Sequence, residues 1–319
     1  MVTRQKAILF SEGGEKTLTP EVRGGKGQSL AKMSALGLAV PPGFTVPTSV
    51  ARRFMRDGSL PGKTPWHLNR CLAALEKKTG KRLGDAENPL LVSVRSGAAV
   101  SMPGMMDTIL NVGINPKTVE GLAKLSGEKF AFDCYGRFLA QFGETALGIG
   151  REFFESQSVS SSRELCAKYR TVIEEQTGRP VQDDPLEQIS TAMFAVLRSW
   201  GSERAVAYRE AHGIPHIAGT AINIQAMVFG NYGPTSCTGV VFSRNVATGN
   251  HELYGEFLPE AQGEDVVAGV RTPYLIAEMR SWNEEVYREL ERQVQLLERH
   301  YGDVVDVEFT VESGRLYIL

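Results

Sequence analysis

Over the first 115 residues the apolar positions move between helical and extended spacing. Leu30, Met33 and Leu36 recur at helical spacing and stop at Gly37, which predicts a helix over 28–36. Pro41, Pro42 and Gly43 then turn the chain into a strand, Phe44-Thr45-Val46. The apolar run 90–94 predicts a central strand that ends at Arg95. From 116 to 183 the pattern is mainly helical, with aromatics at helical spacing over 130–143, an amphipathic stretch over 164–175, and loops at 156–162 and 179–180. A further helix is predicted over 184–200, with Ile189, Met193, Val196 and Leu197 inward. Strands dominate the last third. Residues 220–228 alternate, 239–242 repeat the signal, and 230–239 between them predict a hairpin loop. A long helix over 280–300 carries Val286, Leu290, Val294 and Leu297 on one stripe, and a closing hairpin, 304–311 and 315–319, turns at Ser313-Gly314.

With 319 residues the chain is long for a single core, so a large composite domain or a few subdomains are expected. Hydrophobic residues at 42% and charged residues at 23% describe a folded protein, and 33 glycines ask for many special turns. Basic and acidic residues number 35 and 37, so no overall field favours nucleic acid or an anionic membrane, and any anion site must be local. The opening residues lack the apolar core of a signal peptide, and no run reaches the roughly 18 apolar residues of a membrane span. The expectation is a cytoplasmic protein. Cys71, Cys134, Cys166 and Cys237 lack zinc spacing and read as free thiols; His67, His212, His216, His251 and His300 read as surface or turn residues.

A few residues can carry chemistry. Gly24-Gly25-Lys26-Gly27 opens a predicted helix, where amides and a lysine can meet an anion; a solvated turn lysine is the alternative. Arg95 beside glycine at a strand end suits a phosphate clamp, or a salt bridge. The methionines of Ser101-Met102-Pro103-Gly104-Met105-Met106 suit a lid over a ligand, or a core turn. Asp306, Glu308 and Thr310 share one strand face opposite Val305, Val307, Phe309 and Val311. Paired carboxylates there suit magnesium, and equally an ordinary polar sheet face. Residues 230–239, with Ser236 and Thr238, can fold over phosphates or form a plain loop. Together these are the parts of a Mg-nucleotide site.

The same segments resemble a known family. "GGKGQSLAKMSALGLAVPPGFTV", "LLVSVRSGAAVSMPGMMDTILNVG", "RSWGSERAVAYRE", "GTAINIQAMVFGNYG", "TGVVFSRNVATGN", "YGEFLPEAQGEDVVAGVRTP" and "LERHYGDVVDVEFTVESGRLYIL" cover nearly the whole chain. They closely resemble the N-terminal nucleotide-binding domain of the pyruvate, phosphate dikinase family. "SMPGMMDT" and "AQGEDVVAGVRTP" are the most specific, whereas phosphoenolpyruvate synthase and the water dikinases share only a looser pattern.

The resemblance implies an α+β, ATP-grasp fold in which two subdomains clasp the nucleotide. Its expected segments are 1–115, an inserted helical subdomain at 116–184, a return at 185–228, and a second subdomain at 229–319. It implies ATP and Mg2+ as ligands, with the β-phosphoryl group passing to a histidine on a separate swivelling domain and phosphate accepting the γ-group. A pyruvate-binding barrel would complete a homodimeric enzyme. Lys26 and Arg95 are then phosphate ligands, and Gly104 and Met106 lie in a closing loop. Thr238 and Gly239 lie in a glycine-rich loop, Gln225, Met227 and Val228 in the linker at the adenine, and Asp306 and Glu308 at the metal, Glu308 also counting as catalytic. Alternatives are another dikinase, such as phosphoenolpyruvate synthase, or a non-catalytic regulatory module. The family strand continues past Leu319 with Gln-Thr-Arg, whose glutamine and arginine also serve the nucleotide, so the site in this chain is expected to be incomplete, its second subdomain cut short at the last strand. The insert at 150–184 is shorter than the family's, and Cys237 and Val246 replace an expected glycine and proline, which predicts a loop that is stiffer or differently bent.

Overall fold

The structure, a computed structural model, describes residues 7–12, 17–62, 64–100, 102, 104–157, 159, 161–215, 219–267, 269 and 271–319. It is a mixed α/β architecture, and each of its two five-stranded sheets is antiparallel. The described residues up to Lys32 form one unit with Pro42–Met227, and Met33–Pro41 form another with Val228–Leu319.

The first sheet runs β1 (Ile8–Leu9), β2 (Gly43–Val46), β7 (Thr220–Ala226), β5 (Val92–Ala98), β6 (Thr108–Val112) in spatial order. A short parallel pair, β3 (Arg82–Leu83) and β4 (Pro89–Leu90), stands apart from it. The helices of this unit are α1 (Pro20–Ala35, whose last three residues fall in the other unit), α2 (Thr48–Asp57), α3 (Thr64–Thr79), α4 (Pro116–Ser126), α5 (Glu128–Leu147), α6 (Glu152–Glu155), α7 (Ser162–Thr177), α8 (Pro185–Ser199) and α9 (Glu203–Ala211). α8 starts where the sequence says it should, because the Asp184 carboxylate accepts from the Leu186 and Glu187 amides at 2.9 Å each. Its inward stripe, Ile189, Met193, Val196 and Leu197, is buried, and the helix packs on β5, β6 and β7.

That sheet has two unlike faces. Phe44, Val46, Val92, Val94, Ile222 and Ile224 point to one side and form core. Thr45, Ser93, Arg95, Asn223 and Gln225 point to the other. All of this second set except Arg95 are at most 2% exposed, so the sheet buries polar groups on purpose. Arg95 corrects the expectation of a strand end: β5 continues through Arg95, Ser96 and Gly97 to Ala98, because β7 pairs along its whole length.

The second sheet runs β10 (Tyr274–Leu275), β9 (Tyr254–Pro259), β8 (Cys237–Phe242), β11 (Asp306–Glu312), β12 (Arg315–Ile318). With it go α10 (Gly263–Val267), α11 (Met279–Trp282) and α12 (Glu284–Tyr301). The expected single helix over 280–300 is broken at Asn283, whose extended backbone (φ −160°, ψ 99°) caps α12 by accepting from the Val286 amide at 3.1 Å. The closing hairpin turns at Ser313 and Gly314, both at positive φ (49° and 78°) as a two-residue hairpin turn requires. Residues 230–239 are not a hairpin loop: β7 and β8 lie in different sheets, and this segment lies within the second unit and leads into β8. Ile318 donates its amide to Ala39 O at 2.9 Å, which is how a segment far back in the sequence joins this unit.

Cys71, Cys134, Cys166 and Cys237 are free and buried, as expected of structural thiols, and burial pushes the Cys237 thiol up to about 12. Cys237 pairs within β8 rather than lying in a loop, so it does not stiffen one. His67 is buried on α3, against the expectation of a surface histidine; His212, His251 and His300 are exposed, and His216 lies outside the described residues.

Candidate nucleotide-binding site

In the first unit the candidate residues are organised by glycine. Within α1, Gly24 sits at φ 68°, ψ 167°, a conformation essentially closed to other residues, so the regular helix starts anew after it. A helix beginning there presents unsatisfied amides around Gly25, Lys26 and Gly27, and its dipole favours an anion. The turn is pressed onto β5: a Cβ on Gly24 would stand 1.6 Å from Gly97 O. Gly97 is two residues past Arg95, so this backbone contact brings the turn bearing Lys26 to the strand bearing Arg95. Both side chains are half-buried.

Arg23, which the sequence reading passed over, anchors the turn from behind. It is fully buried, and its guanidinium donates to Thr17 O at 2.9 Å, Leu9 O at 3.0 Å and Glu12 O. Burial lowers its pKa to about 10, with Glu12 acting in the opposite sense. Its signal in the sequence was position, an arginine directly before Gly24-Gly25. Asn223 was missed too, although the alternation of Thr-Ala-Ile-Asn-Ile-Gln-Ala puts it on the same face as Gln225.

Gln225 is buried near the end of β7 on the polar face, opposite Ser93 and Gly43. Met227 donates its amide to Leu91 O at 2.9 Å, and the division between units falls between Met227 and Val228. The methionine segment behaves more as a core turn than as a free lid. Met102 is buried with Trp200 and Ala205, and Met105 and Met106 pack against that cluster. Ser199 donates to Met106 Sδ at 3.9 Å, and Arg209 lies 4.2 Å over the Trp200 ring while donating to its carbonyl at 2.6 Å. Gly104 is exposed at φ 68°, and Ser101 and Pro103 lie outside the described residues. Next to this turn, burial raises the Asp107 carboxyl above its ordinary range even though Arg204 pairs with it.

The remaining candidates, Val228, Thr238, Gly239, Asp306 and Glu308, belong to the second unit. Thr238 and Gly239 lie in strand β8 and not in a loop, so the expected glycine-rich loop is displaced to the residues before Cys237. They face opposite sides. Thr238 is buried and donates to Phe309 O at 3.2 Å, with Thr310 Oγ1 at 3.3 Å. A Cβ on Gly239 would meet Glu256 O at 2.5 Å and the Phe309 ring at 2.7 Å, so core packing already requires glycine there. Asp306 and Glu308 stand exposed on one face of β11, opposite Phe242 and Val240, while Val307 and Phe309 go into the core. Two exposed carboxylates on one strand face are a hard-oxygen donor set, and they fit a magnesium ion that takes its other ligands from water and phosphate. Among the described residues no group of three or more His, Cys, Asp or Glu side chains is placed to hold a metal. Phe229 donates its amide to Glu312 Oε2 at 2.7 Å, tying the segment that leaves Val228 to the end of the carboxylate strand.

A helix N-terminus packed on the strand of Arg95, above a buried polar sheet face, is an arrangement suited to an anion, set in a mixed helix-and-sheet protein with antiparallel sheets. A family model described as "Pyruvate phosphate dikinase, AMP/ATP-binding domain" matches residues 60–281, and the chain belongs to that family. It is 47% identical over 335 residues to pyruvate, phosphate dikinase, chloroplastic, of Mesembryanthemum crystallinum, covering 99% of this chain and 35% of that protein. It is 46% identical over 336 residues to the chloroplastic enzyme of Flaveria trinervia, with 99% and 35% covered. To pyruvate, phosphate dikinase 2 of Oryza sativa subsp. japonica it is 44% identical over 334 residues, with 99% and 38% covered. The chain thus spans little more than a third of the length of these curated relatives. No helix among the described residues is long and apolar enough to cross a membrane.

Proposed function

We propose that this chain is the ATP-grasp, Mg-ATP-binding part of a pyruvate, phosphate dikinase. The helical run 116–184 is read as a subdomain inserted in its first half. The observation that carries the reading is the backbone contact between Gly24 and Gly97, which brings a helix N-terminus and Lys26 to the strand of Arg95. Lys26 contributes a point charge and Arg95 a planar fork, and together they offset charge on a phosphoryl group in transfer. Gln225, Met227 and Val228 are read as the residues that receive the adenine, and Thr238 with residues 230–236 as ones that meet phosphate. Gly104 and Met106 border the nucleotide from their turn, and the Trp200 cluster holds that turn in shape. Asp306 and Glu308 would hold magnesium, which would supply positive charge to offset that of a phosphoryl group in transfer.

In the whole enzyme the β-phosphoryl group passes to a histidine on a swivelling domain and the γ-group to inorganic phosphate. A barrel domain then transfers the phosphoryl group to pyruvate. The sum is ATP + pyruvate + phosphate giving AMP + phosphoenolpyruvate + diphosphate. The test is calorimetric titration of Mg-ATP into the 319-residue chain and into K26A, R95A and D306N. All three substitutions are expected to weaken binding, and D306N is expected to abolish the gain that magnesium gives over a chelator. ATP affinity unchanged in all three would sink the reading.

A further inference from the structure

Asn223 is used by none of the roles above, yet it occupies the middle of the polar sheet face. It is 1% exposed and stands directly opposite Arg95 on β5 and Thr45 on β2. Its Oδ1 accepts from Thr45 Oγ1 at 2.8 Å. Its Nδ2 is buried and has no hydrogen-bond partner among the described residues. A buried donor left without a partner is rare in a folded protein and calls for a reason.

The reason lies in what the carboxamide touches. A Cβ on Gly27 would stand 2.6 Å from Asn223 Oδ1 and 2.7 Å from Thr45 Oγ1, and a Cβ on Gly97 would stand 2.6 Å from Asn223 Nδ2. Both neighbours fit only because they are glycine. The amide is therefore wedged between the backbone of α1 one residue after Lys26 and the backbone of β5 two residues after Arg95. A leucine of similar size would leave the Thr45 hydroxyl without its acceptor, and a serine would leave the wedge short.

We propose that Asn223 is a positioning residue for the phosphate-binding pair: its carboxamide, locked by Thr45, sets the spacing between the helix turn of Lys26 and the strand of Arg95. This rests on the reading of Lys26 and Arg95 as phosphate ligands. The claim concerns geometry, because a site holds its ligand only as well as its supporting shell holds the site. Loss of the wedge leaves the spacing of the two cations unset, which harms recognition of the phosphates and spares recognition of the base.

The test compares Mg-ATP with adenosine, each titrated calorimetrically into the 319-residue chain and into N223A, T45V, K26A and R95A. N223A is expected to lower the ratio of ATP to adenosine affinity by roughly three- to thirty-fold, with adenosine affinity retained. A general loss of structure would lower both affinities together. If N223A does not fold, T45V decides, since it keeps side-chain volume and removes only the hydroxyl that locks the amide. An unchanged ratio in the deciding variant, with K26A and R95A lowering it, overturns the positioning role and leaves the phosphate reading intact. An unchanged ratio in K26A and R95A overturns both.

Discussion

Replacing Gly24 by alanine tests the contact on which the site is built. Two costs combine. The backbone at φ 68°, ψ 167° is closed to residues with a Cβ, at about 1–3 kcal/mol. The new methyl would also lie 1.6 Å from Gly97 O, a backbone atom that cannot swing aside, and overpacking of that kind costs a further ~1–3 kcal/mol. The sum, about 2–6 kcal/mol, is a large part of a typical total of roughly 5–15 kcal/mol. For a unit of this size it corresponds to a fall in Tm on the order of 10 °C. Gly58→Ala is the matched control. Gly58 has nearly the same φ, 66°, but a Cβ there meets nothing within 4 Å, so only the conformational cost of about 1 kcal/mol applies. Differential scanning calorimetry and an ATP titration on both variants make the comparison. If G24A and G58A melt within two degrees or so of each other and bind ATP alike, the turn is not held against β5 and Lys26 and Arg95 do not share a site.

Arg23→Lys is expected to lower stability by about 2–4 kcal/mol in denaturant melts, because one ammonium cannot serve the three carbonyls that the guanidinium reaches. Arg95→Ala is expected to weaken ATP binding by roughly 10- to 100-fold while moving Tm by only a few degrees, and the reverse pattern would restore the salt-bridge role. Glu298→Gln gives a pH signature. A Ser243 hydroxyl hydrogen bond first, and then Arg244 at 2.6 Å, hold the Glu298 carboxyl below its ordinary range. A depressed carboxyl contributes stability above its unfolded pKa of about 4.3 and loses it as pH falls through the folded value. The Tm gap between the natural chain and E298Q should therefore be full near neutral pH and close in acid, and a gap independent of pH would contradict the assignment.

Local signals in the sequence carried far where one element decides its own limits. The Asp184 cap and apolar stripe of α8, the stripe on α12 and the Ser313-Gly314 turn are all local, and the structure has each of them. The sequence failed where pairing decides. Arg95 looked like a strand end because the apolar run stops there, but β7 carries the ladder on to Ala98. Residues 230–239 looked like a hairpin loop because strands flank them, and nothing local says that those strands join different sheets. Gly239 looked like part of a phosphate loop, whereas the Phe309 ring opposite already demands a glycine.

By itself, then, the sequence determined the kinds of element, the inventory of cations, carboxylates and glycines, and the family to which the chain belongs, because those depend on residue identity and short spacing. Tertiary structure alone decided that Gly24 meets Gly97, that Arg23 gathers three distant carbonyls, and that Asn223 lies between Lys26's helix and Arg95's strand. Such contacts join residues from distant parts of the chain, and their register is set by strand pairing and close packing that no local pattern encodes.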